Sequence, residues 1–366
     1  MESGVATRPI KNFDEYTALL ERFAFRSGLI MKPVFAKAKT QPVRVIYAEG
    51  EDERVLRATQ VVLEEKLARP ILVGRPSVVE ARIKRFGLSI KASQDFDLIN
   101  PEDDPRYRSY VQSYIEVAGR RGVTPDAART VVRTNATVIA ALAVVRGEAD
   151  AMICGVEGRY MSHLRHVREI IGFMPGVSDF AALALTITSK GAYFIGDTQV
   201  RPNPTAEELA EMASLAANHV TRFNIKPKIA FVSHSDFGGY DTESSRKMRQ
   251  ATALLKQHRP DLEADGEMQG DTALSATARK AILPHSDLEG SANVLIMPNL
   301  DAANVAYQMI KVLADAVPVG PILIGPARPA HILTPSVTAR GILNMTAVAA
   351  VEAQERAGRA QPTLFA

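Results

Sequence analysis

The sequence predicts an α/β fold with two lobes, each built on a largely parallel sheet with helices on both faces. The chain has 366 residues, more than one hydrophobic core usually contains. Short apolar strands alternate with amphipathic helices from end to end, which is typical of parallel sheets covered on both faces. Polar residues follow several of these strands, and open α/β sheets bind ligands at the carboxyl ends of their strands.

Composition excludes several classes of function. The 44 Lys and Arg are interspersed with 41 Asp and Glu, so no basic nucleic-acid-binding surface is predicted. No apolar run approaches the roughly 20 residues of a membrane-spanning helix, and the N-terminus lacks the order of a signal peptide. Cys154 is the only cysteine, which excludes an internal disulfide and a thiolate zinc site. We therefore expect a cytoplasmic protein without nucleic-acid or membrane partners.

Residues 1–38 are predicted to be an arm and a linker. Apolar residues recur at helical spacing after Asp14, a candidate N-cap, and Gly28 ends this predicted helix. Residues 31–33 indicate a linker. The apolar residues of the arm are Tyr16, Leu19, Leu20 and Phe23.

A βαβ unit follows from Val43, with a helix over residues 55–67 and a second strand over 71–73. Its first turn is acidic, and carboxylates at a helix N-terminus cap free amides and favour the helix dipole. We interpret this turn as a capped helix start. No GxGxxG or GxxxxGK[ST] follows a strand, which disfavours a Rossmann or Walker nucleotide site. The acidic residues are Glu49, Glu51, Asp52 and Glu53.

A strand over residues 150–154 precedes a glycine turn and a helix that carries His163, Arg165 and His166. The spacing of the two histidines fits a metal, but no acidic partner completes a ligand set, so no metal site is predicted. Arg165, near the helix start and at a strand end, is the better candidate for binding an anion.

The second half of the sequence again alternates predicted strands and helices. A strand pair over residues 181–196 and a helix over 205–223 precede a strand over residues 228–233. The loop after this strand contains Ser233, His234, Ser235 and Asp236. Neighbours on a strand point to opposite faces, so these residues do not favour a Ser-His-Asp triad. The hydroxyls of Ser233 and Ser235 instead favour an anionic or polar ligand. A later strand, over residues 293–297, is followed by Asn299, Asp301 and Asn304.

The C-terminal stretch GPILIGPARPAHILTPSVTARG contains a strand over residues 322–324, a loop, and then a helix over 342–352. The loop carries three prolines and the polar side chains of Arg328, His331, Thr334 and Ser336, but no carboxylate. We expect such a stiff loop to hold a ligand rather than to transform it.

Six segments resemble, in order and spacing, the phosphate acetyltransferase family over residues 36–355. They are YAEGEDERVL, ADAMICGV, PKIAFVSHS, DGEMQGD, SANVLIMPNLDAANVAYQ and GPILIGPARP. The opening ESGVATRPI resembles the junction in bacterial hybrid-type NADP-dependent malic enzymes, where a malic part precedes a phosphotransacetylase-like domain. The resemblance implies an architecture like that of isocitrate dehydrogenase. Lobe one would hold residues 36–170 and 322–366, and lobe two would hold 171–321.

Active members of the family move an acetyl group between phosphate and the thiol of coenzyme A, and the resemblance implies that this chain has lost part of their site. A family serine falls at Thr334, an arginine at Pro335, an aspartate at Gly341, and a second arginine at Ala118. Losing a general base costs roughly 10² to 10⁴ in rate, and losing one transition-state donor costs about 10² to 10³. Arg165, Ser233 and Ser235 match retained positions.

The resemblance therefore implies a regulatory and oligomerisation domain that binds acetyl-CoA as an allosteric inhibitor. It also implies a homo-oligomer, often hexameric, with NADP and a divalent metal bound by the malic part and no cofactor in this chain. The alternatives are an active phosphate acyltransferase that uses Arg340 and Asp301, and a purely structural scaffold. The predicted ligand-binding residues are Arg165, Ser233, Ser235, Asn299, Asn304 and Thr334.

Overall fold

The computed structural model describes residues 28–357, so the helix predicted after Asp14 lies outside the described residues. Helix α1 covers residues 28–40, and its Met31, Val34 and Ala38 are buried. The linker predicted at residues 31–33 is therefore wrong. The apolar spacing i, i+3, i+7 gives these residues a helical face that packs into the core.

The first sheet of the described chain has five parallel strands in the order β11, β4, β1, β2, β3. These strands are β1 (Val43–Tyr47), β2 (Ala68–Val73), β3 (Asp97–Ile99), β4 (Ala151–Cys154) and β11 (Ala330–Ile332). Helices cover both of its faces, as the sequence predicts. One face packs against α1, α2 (Glu53–Glu64), α3 (Pro76–Arg85) and α13 (Ala339–Ala357), and the other against α4 (Tyr107–Ala118), α5 (Pro125–Thr134), α6 (Ala136–Val145) and α7 (Tyr160–Ile170).

The second sheet of the described chain has the order β10, β5, β6, β9, β7, β8, with antiparallel pairing only at β10–β5 and β5–β6. Its strands are β5 (Ala181–Thr188), β6 (Gly191–Gly196), β7 (Lys228–Val232), β8 (Glu263–Met268), β9 (Val294–Ile296) and β10 (Val317–Ile324). Its helices are α8 (Ala206–Val220) and α9 (Glu243–His258) on one face, and α10 (Gly270–Leu274), α11 (Ala276–Ile282) and α12 (Leu300–Leu313) on the other. The α/β fold with two largely parallel, helix-covered sheets is confirmed.

Helix pairs and loops differ from the prediction in two places. The alanine-rich sequence of residues 125–146 predicts one helix. The structure has two, because the side chain of Asn135 accepts a hydrogen bond from the amide of Val138 and so begins α6. The predicted C-terminal loop contains β11, because its residues pair with β4. Among the described residues no single helix is long and apolar enough to cross a membrane, although α5 and α6 together, bent by 101°, meet that length and composition.

Two segments connect the lobes, one near residue 173 and one near residue 326, and they are hydrogen-bonded to each other. The amide of Met174 donates to the carbonyl of Gly325 over 2.8 Å, and that of Ala327 donates to Gly172 over 2.9 Å. Strand β10 pairs with β5 as far as Ile324, so the return to the first lobe comes after this residue rather than at the predicted residue 322. One continuous cluster of buried apolar side chains includes residues of both sheets, so the two lobes share a hydrophobic core.

A buried ionic cluster adds to this junction. Glu352 on α13 lies 3.3 Å from Nε2 of His331 and 3.6 Å from Nη1 of Arg222, and it also pairs with Arg356. Burial raises the pKa of Glu352, but the neighbouring arginines outweigh burial and hold this pKa well below its usual value. His331, which the sequence places in a ligand loop, is therefore a buried structural residue of β11. The cluster ties α13 to the end of α8, which precedes Arg222.

Candidate functional site

Three loops meet at the carboxyl edge of the first sheet, after β1, β4 and β11. The amide of Leu333 donates to the carbonyl of Cys154 over 2.7 Å, and that of Ala48 donates to Ile153 over 3.0 Å. Gly155 has a φ of +87°, and a Cβ there would lie 2.5 Å from the carbonyl oxygen of Leu333. Only glycine fits at this position, because both its conformation and its close approach exclude a side chain.

Arg54, in the first turn of α2, fastens the three loops together. Its guanidinium donates to the carbonyl of Pro335 over 2.6 Å and to that of Val156 over 3.0 Å. It also pairs with Asp52 at 2.8 Å, and Asp52 caps the helix by accepting from the amide of Arg54. The predicted capped helix start is thus provided by Asp52.

The carboxylate of Glu49 has different hydrogen-bond partners from those of its acidic neighbours. Its Oε1 accepts from the amide of Gly155 over 3.1 Å, whereas its buried Oε2 has no hydrogen-bond partner within residues 28–357. Burial raises the pKa of Glu49 to about 7, because the backbone amides that bond to the carboxylate compensate only partly. This residue is a candidate functional group that the sequence interpretation missed.

His163 beside it is structural. Its Nδ1 lies 2.7 Å from Oγ1 of Thr137 and its Nε2 lies 2.7 Å from the carbonyl of Glu157. Because a carbonyl only accepts, Nε2 carries the proton and Nδ1 accepts from the threonine. Within the described residues no group of three or more His, Cys, Asp or Glu side chains gathers that could hold a metal.

Arg165 lies exposed on α7, and within the described chain no hydrogen bond or ion pair holds its guanidinium. A cation with no internal partner is available to an anionic ligand. Ala118, by contrast, is fully buried at the end of α4 in the core of the first lobe. This position presents no polar group to a ligand.

The other substituted positions lie in the loop after β11 and in the first turn of α13. Oγ1 of Thr334 lies 3.1 Å from Oγ of Ser336, so the two hydroxyls bond to each other. Pro335 contributes only its carbonyl, which Arg54 occupies. A Cβ at Gly341 would lie 2.8 Å from Cγ2 of Val337, so an aspartate would enter this helix only if Val337 moved.

In the second lobe, the loop after β7 is organised by its own hydrogen bonds. The buried hydroxyl of Ser235 donates to Glu267 over 3.1 Å and accepts from the amide of Tyr240 over 2.9 Å. Oγ of Ser233 accepts from the amide of Ser235 over 3.4 Å. Asp236 accepts from the amide of Gln269 over 2.8 Å, so these residues do not form a triad.

The two asparagines of the second lobe also have internal roles. Oδ1 of Asn299 caps α12 by accepting from the amide of Ala302 over 2.9 Å. Nδ2 of Asn304 donates to the carbonyl of Thr198 over 3.1 Å. Of the six predicted ligand-binding residues, Arg165 is the one whose functional group the described chain leaves entirely free. The structure shows no direct contact of Arg165 with Ser233 or Thr334.

Comparison with known proteins gives a consistent result. The family model described as phosphate acetyl/butaryl transferase matches residues 29–350. The NAD-dependent malic enzyme of Rhizobium meliloti is 59% identical over 96% of this chain and 46% of that protein. The NADP-dependent malic enzyme of Escherichia coli is 48% identical over 97% of this chain and 47% of that protein. The chain thus spans about half the length of these curated relatives.

Stand-alone transferases match over almost their full length. The phosphate acetyltransferase of Clostridium acetobutylicum is 30% identical over 89% of this chain and 98% of that protein. A phosphotransacetylase structure from Streptococcus pyogenes superposes with a TM-score of 0.83 at 29% identity, over 89% of this chain and 98% of that one. The EutD phosphotransacetylase from Staphylococcus aureus gives a TM-score of 0.80 at 28% identity, over 88% and 98%.

Proposed function

The chain belongs to the phosphate acetyl/butaryl transferase family, and we propose that it is a regulatory and oligomerisation domain that binds acetyl-CoA without converting it. The observation that carries the proposal is that Pro335, in the loop after β11, and Gly341, in the first turn of α13, supply neither a cation nor a base. The steric limit at Gly341 and the buried Ala118 support it further. Loss of a base and of one transition-state donor together removes roughly 10⁴-fold or more of the rate.

We further propose that the domain acts within a malic enzyme. The relatives of 59% and 48% identity are malic enzymes about twice the length matched by this chain, which supports a malic catalytic part as its partner. The sequence favours NADP for that part, but one of these two relatives uses NAD. The nicotinamide and a divalent metal would bind to the malic part, and acetyl-CoA would act as its allosteric inhibitor through this domain.

Measurements of acetyl-CoA binding and of acetyl-CoA formation distinguish this proposal from the transferase and the scaffold alternatives. We expect calorimetric titration to show acetyl-CoA bound by the chain, and we expect no acetyl-CoA formation from acetyl phosphate and coenzyme A above about ten per second. The phosphate acetyltransferase of Clostridium acetobutylicum serves as the active control. Turnover near the rate of that control would establish the transferase alternative, and absence of binding would leave only the scaffold role.

The transferase remains the second candidate because of family membership and the match over 98% of the Clostridium acetobutylicum enzyme. The replacement set predicted from the sequence has little structural support. The guanidinium of Arg340 lies 5.8 Å from the ring centroid of Phe35 on α1, and Asp301 is exposed in the first turn of α12 in the second lobe.

Assembly with a second copy of the chain is supported by α12. Its outer face exposes four apolar side chains by 54% to 78%. They recur at helical spacing and form one stripe, and exposed apolar patches mark interaction sites. A stable dimer buries about 800 Å² per partner, so α12 would be only the centre of the contact. The four side chains are Val305, Met309, Val312 and Leu313.

We expect light scattering to give at least twice the 39.7 kDa mass of one chain. The double substitution Met309→Glu and Leu313→Glu would place unpaired charges in the contact and should yield monomers. Gln308→Glu, an exposed neighbour on the same helix, is the control and should leave the mass unchanged. A monomeric parent would contradict the proposed assembly, and a dimer that survives the double substitution would exclude α12.

A further inference from the structure

Lys247 on α9 is a cation whose hydrogen-bond partners in the described protein are all neutral. Its ammonium group donates to Oδ1 of Asn203 over 2.7 Å and to the carbonyl of Pro298 over 2.8 Å. Within residues 28–357 no carboxylate forms an ion pair with it. An ammonium group has three N–H donors, so one donor of Lys247 has no partner in this part of the chain.

The charge of Lys247 is only partly compensated by its surroundings. The side chain is half-buried, and burial lowers its pKa, whereas the more distant Glu243 and Glu208 raise this pKa by less. Charges that leave water are usually paired with an opposite charge. The side chain still reaches the surface, so its remaining donor is a place where an anionic group of a ligand would supply the missing charge.

Tyr240, in the loop after β7, presents an aromatic ring to solvent from a fixed backbone. Its amide donates to Oγ of Ser235 over 2.9 Å, and its carbonyl accepts from Oγ of Ser245 over 2.8 Å, yet the residue is 65% exposed. The ring of the exposed His234 lies edge to face with it, and the two ring centroids are 5.4 Å apart. Such a ring on a rigid loop is a surface on which a planar base stacks.

Both features lie at the carboxyl edge of the second sheet. Strands β6, β9 and β7 are neighbours in this sheet, and Asn203, Pro298 and Tyr240 belong to the segments that follow them. Neighbouring strands lie about 4.8 Å apart, so these three segments are adjacent. Val200, in the first segment, belongs to the same buried apolar cluster as α7, the helix that carries Arg165. This edge of the second sheet therefore adjoins the first lobe at α7.

We propose that Lys247 and Tyr240 bind the nucleotide end of acetyl-CoA. Lys247 binds a phosphate group through its remaining donor, and the adenine ring stacks on Tyr240 beside His234. The inference rests on the proposed function and adds a subsite in the second lobe to it. A nucleotide carries its base and its phosphates on one ribose, so one ligand reaches both residues. Stacking and a single cation require no glycine-rich motif, which agrees with the absence of such motifs after the strands.

The test compares acetyl-CoA with acetyl-pantetheine, which keeps the thioester arm and lacks the nucleotide, by calorimetric titration into the chain. Lys247→Met should weaken acetyl-CoA binding by about ten- to a hundredfold, because a charge-assisted hydrogen bond is lost. Tyr240→Ala should weaken it by about five- to a hundredfold, because the stacking surface is lost. Neither substitution should change the affinity for acetyl-pantetheine.

Conservative variants separate ligand contacts from support of the loops. Lys247→Arg keeps the cation and Tyr240→Phe keeps the ring, so both should retain most of the affinity for acetyl-CoA. The affinity should also depend less on ionic strength in Lys247→Met than in the parent, because one screened charge pair is absent. Lys280→Met, which removes an exposed lysine of α11, is the control and should bind both ligands like the parent.

Parent-like affinity for acetyl-CoA in Lys247→Met or in Tyr240→Ala would overturn this inference alone. An equal loss of affinity for acetyl-CoA and for acetyl-pantetheine would overturn it as well, since the residue would then only support the surrounding loops. No binding of acetyl-CoA by the parent would overturn the proposed function, and this inference with it.

Discussion

At the scale of single residues, the candidate site has one cation without a hydrogen-bond partner among the described residues, and several polar side chains that already have partners. Arg165 is exposed and has no hydrogen bond within residues 28–357, whereas Ser235, Asn299 and Asn304 support the backbone around them. A side chain that the fold does not use costs little stability when it is removed. Arg165 is therefore the residue whose substitution reports most directly on ligand binding.

We expect Arg165→Ala to weaken acetyl-CoA binding by about ten- to a hundredfold, the usual cost of a charge-assisted hydrogen bond of roughly 1.5 to 3 kcal/mol. Titration calorimetry measures this directly. Arg69→Ala removes an exposed arginine of β2 and should change nothing. If Arg165→Ala bound acetyl-CoA as tightly as the parent, the anion role of this residue would be wrong.

The sequence could single out Arg165 as a candidate, because a charged residue on a helix after a strand end is visible in the pattern. It could not separate Glu49 from the other acids of its turn, since four carboxylates at a helix start look alike. The difference depends on long-range packing. Asp52 caps α2, Glu51 pairs with Arg75 at 2.8 Å, and Glu49 turns to Gly155, which lies 106 residues away in the chain.

At the scale of elements, the sequence predicted the structure that depends on local periodicity and missed the structure that depends on long-range contacts. Alternating strands and helices follow from local periodicity, and both sheets agree with that prediction. The short strand β11 is only three residues long and exists because it pairs with β4. The division of residues 125–146 at Asn135 depends on a capping bond that a continuous alanine-rich pattern conceals.

The loops of the candidate site depend on Arg54, and this gives an element-scale prediction. Arg54→Ala removes bonds to Pro335 and Val156, so we expect a loss of about 1.5 to 3 kcal/mol in the free energy of unfolding. Amides of residues 333–338 should also exchange faster with deuterium. The measurements are denaturant unfolding and hydrogen exchange.

Arg57→Ala is the matched control for this experiment. Arg57 lies one turn further along α2 and makes an exposed ion pair with Glu53 at 2.8 Å. Its removal should change the free energy of unfolding by no more than about 0.5 kcal/mol. Equal effects of the two substitutions would show that Arg54 does not fasten the loops.

At the scale of the whole molecule, the lobes are bound to each other more firmly than two hinged domains usually are. Apolar side chains of both sheets share one core cluster, the two connecting segments are hydrogen-bonded to each other, and Glu352 anchors a buried ionic cluster at the junction. Breaking one member of a buried ion pair costs about 3 to 5 kcal/mol. We therefore expect ligand binding to act through small shifts of packed elements rather than through wide opening of a cleft.

Such shifts regulate a distant catalytic part only if the ligand prefers one of two global states, typically by about 1 to 3 kcal/mol. In the proposed malic enzyme, the α12 contacts between copies would transmit that preference. Acetyl-CoA would then reduce malate oxidation, and substitution of Arg165, the proposed anion-binding residue, would remove this inhibition without altering the uninhibited rate.

The most direct test is malate-dependent reduction of NAD or NADP by the full-length protein over a titration of acetyl-CoA. The parent is compared with Arg165→Ala and with a protein that lacks residues 36–366. We predict inhibition of the parent by acetyl-CoA, loss of this inhibition or a shift of about ten- to a hundredfold in the inhibitory concentration for Arg165→Ala, and no inhibition of the truncated protein. Undiminished inhibition of the truncated protein would place the effector site outside this chain and contradict the regulatory role.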